Sequence, residues 1–158
     1  MRDAPALPPA HSPADEGYEA RTRASFDRQA VMSTMGASLA EVAPGRVAIA
    51  MRHLPTLTQQ HGFLHAGIVS TGLDSACGYA AFTLMPADAA VLTIEFKVNL
   101  LRPAQGPGFR FEAEVTKAGR TISVADARAF QIDDHGREQL IATMTATGIL
   151  PMHWNFGP

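Results

Sequence analysis

The segment AGIVSTGLDSACGYAAFTLM, residues 66–85, carries a single charge, Asp74, in 20 residues. A helix of this length could span a bilayer, but a charge near its middle is costly in lipid. Small residues also outnumber large apolar ones, and the neighbouring segments alternate like the strands of a soluble sheet. We therefore predict a helix over residues 66–85 that protein buries on nearly all sides.

The chain after this helix contains four segments that resemble strands. The first, VLTIEFKVNLLRP, alternates so that one face carries Leu92, Ile94, Phe96, Val98 and Leu100 and the other Thr93, Glu95, Lys97 and Asn99. The second, residues 109–117, points Phe109, Phe111, Ala113 and Val115 inward. The third, residues 121–132, starts with Ile122 and Val124 on one face and changes phase near Ala125 and Asp126, where we expect a β-bulge. The last runs from Glu138 to Ile149, after a polar turn that ends in Gly136.

The chain before residue 66 predicts one helix and one hairpin. Tyr18 to Met35 has few helix breakers and a narrow apolar stripe, which favours a surface helix. Residues 37–52 form a hairpin around Pro44-Gly45, with Val47, Ile49 and Met51 on one face. A helix, two strands, a long apolar helix and four further strands indicate an α+β fold in which five or six antiparallel strands surround one helix.

Length and composition predict how the chain is divided into domains and where in the cell it is found. We expect a flexible Pro-rich arm over residues 1–17, one domain over residues 18–150 and a tail over residues 151–158. No apolar h-region follows the first Arg, so we expect a cytoplasmic protein. A net charge of −2 argues against a nucleic-acid binder. Charged residues make up 18% of the chain, which suggests extensive burial or a subunit interface.

Asp74 is the first candidate functional residue. A carboxylate inside an apolar helix is costly unless it is paired, hydrogen-bonded or protonated, and no Lys or Arg lies within a turn. Asp74 is therefore either a structural residue with a distant partner or a base or nucleophile in a partly dry cleft.

The loop QQHGFLHAG, residues 59–67, is the second candidate feature. The helix begins just after His65, which leaves the backbone N–H groups of Ala66 and Gly67 free to stabilise an oxygen that gains negative charge. His61 and His65 are four residues apart, but Gly62 stands where the zinc-protease pattern has Glu. We expect no metal site, and neither a phosphate loop nor a dinucleotide fingerprint is present, so we expect no cofactor.

Three segments together resemble the hotdog-fold acyl-CoA thioesterases, and among them the PaaI-like (phenylacetate-degradation type) group of the 4-hydroxybenzoyl-CoA thioesterase superfamily. They are HGFLHAGIVSTGLDSACGYAA, TIEFKVNLLRPA and KAGRTISVADARAFQIDDHGREQLIATMTATG. The resemblance covers most of the chain, from residue 37 to residue 149. It implies a long helix wrapped by an antiparallel sheet, a homodimer or homotetramer, and hydrolysis of an acyl-CoA thioester at the dimer interface.

The resemblance also implies roles for individual residues. Asp74 matches the catalytic carboxylate, as general base or nucleophile, and His65 matches the loop histidine. The backbone N–H of Ala66 or Gly67 would polarise the thioester carbonyl, with loop and carboxylate contributed by different subunits. Two further matched positions are Gln59, where the family often has Asn, and Thr93, where a Ser or Thr helps to position water.

Three positions depart from the family pattern. Ala66 replaces the first Gly of a His-Gly-Gly loop, and Gln59 is one methylene longer than Asn. Thr93 lies, by alternation, on the polar face of its strand, and its role fails if that face points away from the cleft. Candidate contacts for the CoA phosphates, with structural salt bridges as the alternative, are Arg102, Arg120 and Lys97.

The sequence therefore favours an acyl-CoA thioesterase, with acyl-CoA and a second copy of the chain as partners and neither nucleic acid nor membrane. The alternative is a non-catalytic acyl-CoA or lipid-ligand binding module on the same fold, which needs the pocket but not Asp74. A hotdog-fold hydratase or dehydratase is the third hypothesis, because the loop before the apolar helix does not resemble the loop of those enzymes. The sequence leaves the acyl group open.

Overall fold

The computed structural model describes residues 11–149, so residues 1–10 of the predicted arm and the predicted tail lie outside the described residues. The elements, in chain order, are α1 (Tyr18–Arg28), α2 (Ala30–Met35), β1 (Ser38–Ala43), β2 (Arg46–Arg52), α3 (Ala66–Phe82), β3 (Leu92–Leu100), β4 (Gly108–Lys117), β5 (Ile122–Ile132) and β6 (Glu138–Ile149). The described end of the arm contacts the domain: His11 Nε2 lies 2.9 Å from the Val115 carbonyl oxygen.

An antiparallel sheet of six strands, in the order β1-β2-β4-β5-β6-β3, wraps around α3. Its inner face packs on the helix through fully buried side chains such as Phe109, Phe111, Ile49 and Met144. Gly72 of α3 lets Phe111 approach the helix backbone, because a Cβ there would lie 2.8 Å from the ring. The predicted α+β hotdog architecture is confirmed.

The predicted helix over residues 18–35 is wrong in one respect, because the chain breaks at Gln29 (φ −79°, ψ 96°) into α1 and α2. Phe26 and Met32 are six residues apart and would lie on different sides of one continuous helix. The break turns both side chains into the core, where they are 5% and 1% exposed.

Helix α3 begins directly after His65, as predicted, but ends at Phe82 rather than at residue 85. The backbone N–H groups of Leu84 and Met85 bond three residues back, to Ala81 and Phe82, so the chain tightens as it approaches Pro86. Among the described residues, no helix is both long and apolar enough to cross a membrane.

In strand β5, buried and more exposed residues alternate without interruption from Ile122 to Ala129. The predicted change of phase near Ala125 is therefore wrong. The buried residues of the strand are all small: Ser123, Ala125, Ala127 and Ala129. Ile122 and Val124 lie on the outer face. The irregularity in the pairing with β4 falls on β4, between Val115 and Lys117, and the pairing with β6 shifts between Ala129 and Phe130. Small side chains mark the inner face here because α3 packs closely against it.

Strand β3, at the edge of the sheet, contains a β-bulge between Thr93 and Glu95. Because the bulge shifts the phase, the predicted single apolar face from Leu92 to Leu100 is wrong. Thr93 pairs with Gly148 and Phe96 with Ala146, so Thr93 shares the inner face with the apolar residues after the bulge. The exposed large apolar residues of this strand are Ile94, Phe96 and Leu100, at 53%, 47% and 52%.

Candidate active site

Asp74 has a specific hydrogen-bond partner on the neighbouring strand. Its Oδ1 accepts a 2.7 Å hydrogen bond from Thr93 Oγ1, across the gap between α3 and β3. The bulge in β3 makes this contact, since regular alternation would have placed Thr93 on the outer face. No Lys or Arg of residues 11–149 forms an ion pair with Asp74. A hydroxyl group, and no cation of the described residues, therefore orients the Asp74 carboxyl group.

A cavity of about 350 Å³ opens beside Asp74, between α1, α3 and the start of β3. Its wall also contains Ser25, Gln29, Gly78, Tyr79, Phe82 and Val91. Gly78 follows Asp74 by one helical turn, and a Cβ there would lie 3.9 Å from Val91 Cγ1, in ordinary van der Waals contact. None of these residues was predicted from the sequence, although Gly78, four residues after Asp74, lies on the same face of a helix. The volume and the mixed lining suit part of a small organic ligand.

The loop before α3 ends in a self-capping histidine. His65 Nδ1 accepts a 2.9 Å hydrogen bond from the Gly67 N–H, which leaves the ring proton on Nε2 in the neutral imidazole. Of the two amides predicted to form the oxyanion hole, that of Gly67 thus already has a partner. The Ala66 N–H has no hydrogen-bond acceptor within residues 11–149 and is a free donor at the helix N-terminus.

Gln59 lies in the same loop, where its Oε1 accepts a hydrogen bond from the His61 N–H. The turn over residues 59–62 places Gly62 at φ 84°. Gln59 and Ala66 line a second cavity, of about 400 Å³, together with Phe63, Leu100, Leu101 and Arg102. The structure thus brings Gln59, Ala66 and Arg102 to one opening.

The two groups of candidate residues lie at different points along α3. Asp74 and Ala66 are eight residues apart, which corresponds to about 12 Å of helix. A base and an oxyanion donor must both come within about 3 Å of the same reacting group. Within one chain, Asp74 and the Ala66 amide are therefore too far apart to act on one thioester.

The three candidate contacts for the CoA phosphates do not cluster. Arg102 donates a 2.9 Å hydrogen bond to the Leu140 carbonyl oxygen beside the second cavity. Lys97 donates to Asn99 Oδ1 at 2.6 Å. Arg120 lies in the β4–β5 connection, at the other end of the sheet from Arg102. Among these cations, Arg102 is the one that lies beside a residue of the candidate site.

Three other potential nucleophiles of α3, Ser70, Thr71 and Cys77, are hydrogen-bonded or held as a protonated thiol. Ser70 and Thr71 donate their hydroxyl protons to the carbonyl oxygens of Ala66 and Gly67, at 2.9 and 2.8 Å. Burial raises the pKa of the Cys77 thiol to about 12, and the carboxylates of Asp74 and Asp126 add to the rise. Within the described part of the chain, no three His, Cys, Asp or Glu side chains are grouped to hold a metal ion.

The sequence and the fold of this chain are similar to those of known proteins. Residues 61–137 match the model of the thioesterase superfamily. A thioesterase family protein from Silicibacter pomeroyi is 60% identical, with a TM-score of 0.83 over 85% of this chain and 98% of its own. The PaaI protein of Escherichia coli, from the phenylacetic acid degradation operon, has a TM-score of 0.74 over 84% of this chain and 92% of its own; at 16% identity it shows the fold alone.

One curated relative carries a substrate in its name. The medium/long-chain acyl-CoA thioesterase YigI of Escherichia coli K12 is 30% identical over 98 residues, which cover 53% of this chain and 60% of YigI. The predicted membership of a thioesterase family and the predicted thioester-hydrolysing activity are both confirmed. The chain belongs to the thioesterase superfamily, and it is a thioester hydrolase with the hotdog fold.

Proposed function

We propose that this protein is an acyl-CoA thioesterase that releases a free acid and CoA, with Asp74 as its catalytic carboxylate. The observation that carries the proposal is the hydrogen bond from Thr93 to Asp74 beside the 350 Å³ cavity. That contact fixes one carboxylate oxygen and leaves Oδ2 to act. The name of YigI gives further support for a CoA thioester as the substrate.

In the proposed reaction, Asp74 Oδ2 takes a proton from a water molecule whose oxygen attacks the thioester carbonyl carbon. The carbonyl oxygen becomes an oxyanion, which the Ala66 N–H stabilises, with the His65 Nε2–H as a second donor. The intermediate then collapses, the C–S bond breaks, and the proton on Asp74 passes to the CoA thiolate. Direct attack by Asp74 to form an anhydride, which water then hydrolyses, yields the same products.

The proposed enzyme is at least a homodimer, because one chain holds its two catalytic groups about 12 Å apart. A two-fold axis beside Ser70, midway between Ala66 and Asp74, would pair each Asp74 with the partner's loop if the two α3 helices run antiparallel. Around this point the helix surface is formed by small residues, Gly67, Ser70 and Thr71. The exposed apolar side chains at the β3 edge supply further surface for a second copy to bury.

Some finer points of the sequence analysis stay predictions. These are the choice between a dimer and a tetramer, the cytoplasmic location, and the roles of Gln59 and of the three CoA-binding candidates. Arg102 has the best position among the latter, since it shares a cavity with Ala66.

The test is release of CoA thiol from a panel of acyl-CoAs by wild type and by Asp74→Asn. The Asn variant keeps the shape of the side chain but loses the base, so we expect kcat to fall by about 100-fold or more. Asp134→Asn, in the exposed turn before β6, is the matched control and should retain full activity. Wild-type turnover by the Asp74→Asn variant would disprove the mechanism. Tight acyl-CoA binding without thiol release by wild type would favour the non-catalytic binding module.

A further inference from the structure

Val91, the residue before β3, lies between two cavities. It lines the cavity of about 350 Å³ beside Asp74, and it also lines a second void, of about 10 Å³, between α3 and the strands β5 and β6. Gly78 and Thr93 line both spaces as well. Because the cavity and the void share these three residues, they adjoin each other, and Val91 forms part of the wall between them.

Two glycines leave room for the Val91 side chain on either side. A Cβ at Gly78 of α3 would lie 3.9 Å from Val91 Cγ1, and a Cβ at Gly148 of β6 would lie 3.0 Å from Val91 Cγ2. The second distance is shorter than ordinary contact between two carbon atoms, so a methyl group of Val91 occupies the space that a side chain at Gly148 would need. Val91 therefore fills the gap between the helix and the strand.

The second void is narrow because α3 and the sheet approach each other closely there. Its remaining walls carry only small side chains, on α3 and on the inner faces of β5 and β6: Cys77, Ala81, Ser123, Ala125 and Ala146. A volume of about 10 Å³ is close to the least that holds one water molecule. No acyl carbon enters it while the Val91 methyl groups stay in place, so the bulk of Val91 controls the space at this point.

The boundary between the two spaces lies further along α3 than the catalytic carboxylate. Asp74 lines the first cavity but not the second void, whereas Gly78, four residues further on, lines both. Four residues correspond to about 6 Å of helix. A ligand that reaches from Asp74 along α3 to Gly78 therefore meets the Val91 side chain.

We propose that Val91 is a specificity-determining residue that limits the length of the acyl chain. An acyl group whose thioester lies at Asp74 runs toward Gly78 and ends against the Val91 methyl groups, which close the way into the second void. This inference rests on the proposed function, because it takes the cavity beside Asp74 as the acyl site.

The test measures kcat/KM for straight-chain acyl-CoAs of two to sixteen carbons with wild type and with Val91→Ala, which removes both methyl groups. We expect wild-type kcat/KM to fall steeply beyond one chain length, and Val91→Ala to accept chains about two carbons longer. For the first chain that wild type rejects, kcat/KM should rise by about 10- to 100-fold, a usual effect of one methylene group in an apolar pocket. Val91→Ile, which adds a methyl group, should shorten the limit by about one carbon.

Two further variants separate this role from a general effect on the fold. Val124→Ala removes the same two methyl groups from the outer face of β5 and should keep the wild-type limit. Gly78→Ala in the Val91→Ala background puts a methyl group back beside the opened space, since a Cβ at Gly78 lies in contact with the position of Val91 Cγ1. The double variant should therefore return toward the wild-type limit.

An unchanged length limit in both Val91→Ala and Val91→Ile, or a wild type without any limit, would overturn the inference and show that the acyl chain takes another course. If Val91→Ala does not fold, the shift expected for Val91→Ile decides alone. Failure of the proposed function gives a different result: no thiol release at any chain length, or turnover that survives Asp74→Asn. In that case, ketone analogues with CH₂ in place of the thioester sulfur measure the same length limit by calorimetry, without turnover.

Discussion

The hydroxyl of Thr93 donates a 2.7 Å hydrogen bond to Oδ1 of Asp74, and a β-bulge one residue after Thr93 makes that contact geometrically possible. The contact restricts the rotation of the carboxylate, and Asp74 lines the cavity of about 350 Å³. A hydroxyl of β3 thus positions a side chain of α3 whose charge no ion pair within residues 11–149 compensates.

Thr93→Val should therefore lower kcat by about 10- to 100-fold, because a general base that is free to rotate loses its alignment with the water. Valine keeps the shape and the strand propensity of threonine, so the thermal unfolding midpoint should stay close to that of wild type. Thr93→Ser keeps the donor and should retain most of the activity in a steady-state assay. Equal kcat for the Val variant and wild type would show that the contact has no catalytic role.

Ala66 offers a way to remove a backbone donor without disturbing the fold. It is the first residue of α3, where proline is well tolerated, and His65 before it has the extended conformation (φ −62°, ψ 139°) that proline requires of its predecessor. Ala66→Pro should lower kcat by about 100- to 1000-fold, the usual effect of losing one oxyanion donor.

The control for this experiment is Ala66→Gly, which keeps the N–H and restores the glycine that the family has at this position. Its kcat should remain within a few-fold of wild type, and circular dichroism should show the same helix content for both variants. If Ala66→Pro were as active as Ala66→Gly, the oxyanion would be held elsewhere.

The sequence pattern predicted the fold well where large side chains alternate. Phe109 and Phe111 lie inward in β4 as expected, and α3 starts directly after His65. The pattern was misleading in β5, because the side that packs against α3 carries Ala and Ser, while Ile122 and Val124 lie on the outer face. A hydropathy pattern gives little weight to Ala and Ser, although small side chains are the ones that fit where a helix packs closely against a strand.

The site was predictable in its residue types but not in its geometry. Asp74 stood out because it is the one charge in an apolar helix, but its contact with Thr93 depends on a bulge that ordinary alternation does not reveal. The break between α1 and α2 at Gln29 gave no signal in the sequence, because the burial of Met32 and Met35 in the core accompanies it. Tertiary packing determined both features.

Cys77 should be inert in the native protein, despite its place one turn from Asp74. Burial raises the pKa of its thiol to about 12, so at pH 8 roughly one thiol in ten thousand is ionised. An aromatic disulfide reagent should give no reaction with native enzyme and one equivalent in denaturant. Cys77→Ala, as the control, should give none in either condition. Rapid reaction of the native thiol would contradict the buried position.

If two chains share each active site, two inactive variants should restore activity when they form a mixed dimer. Asp74→Asn lacks the base but keeps an intact loop, whereas Ala66→Pro lacks the oxyanion donor but keeps the base. If each site takes its Asp74 from one chain and its Ala66 from the other, a mixed dimer contains one site with both defects and one site with none.

Denaturing the two variants together and refolding them in equal amounts should therefore restore activity. Random pairing makes half of the dimers mixed, and each mixed dimer has one intact site of two, so roughly a quarter of the wild-type activity should return. Each variant refolded alone should stay inactive, which controls for recovery by refolding itself. A site built within a single chain predicts no recovery at any mixing ratio, since every Asp74→Asn chain would lack the base that its own loop needs.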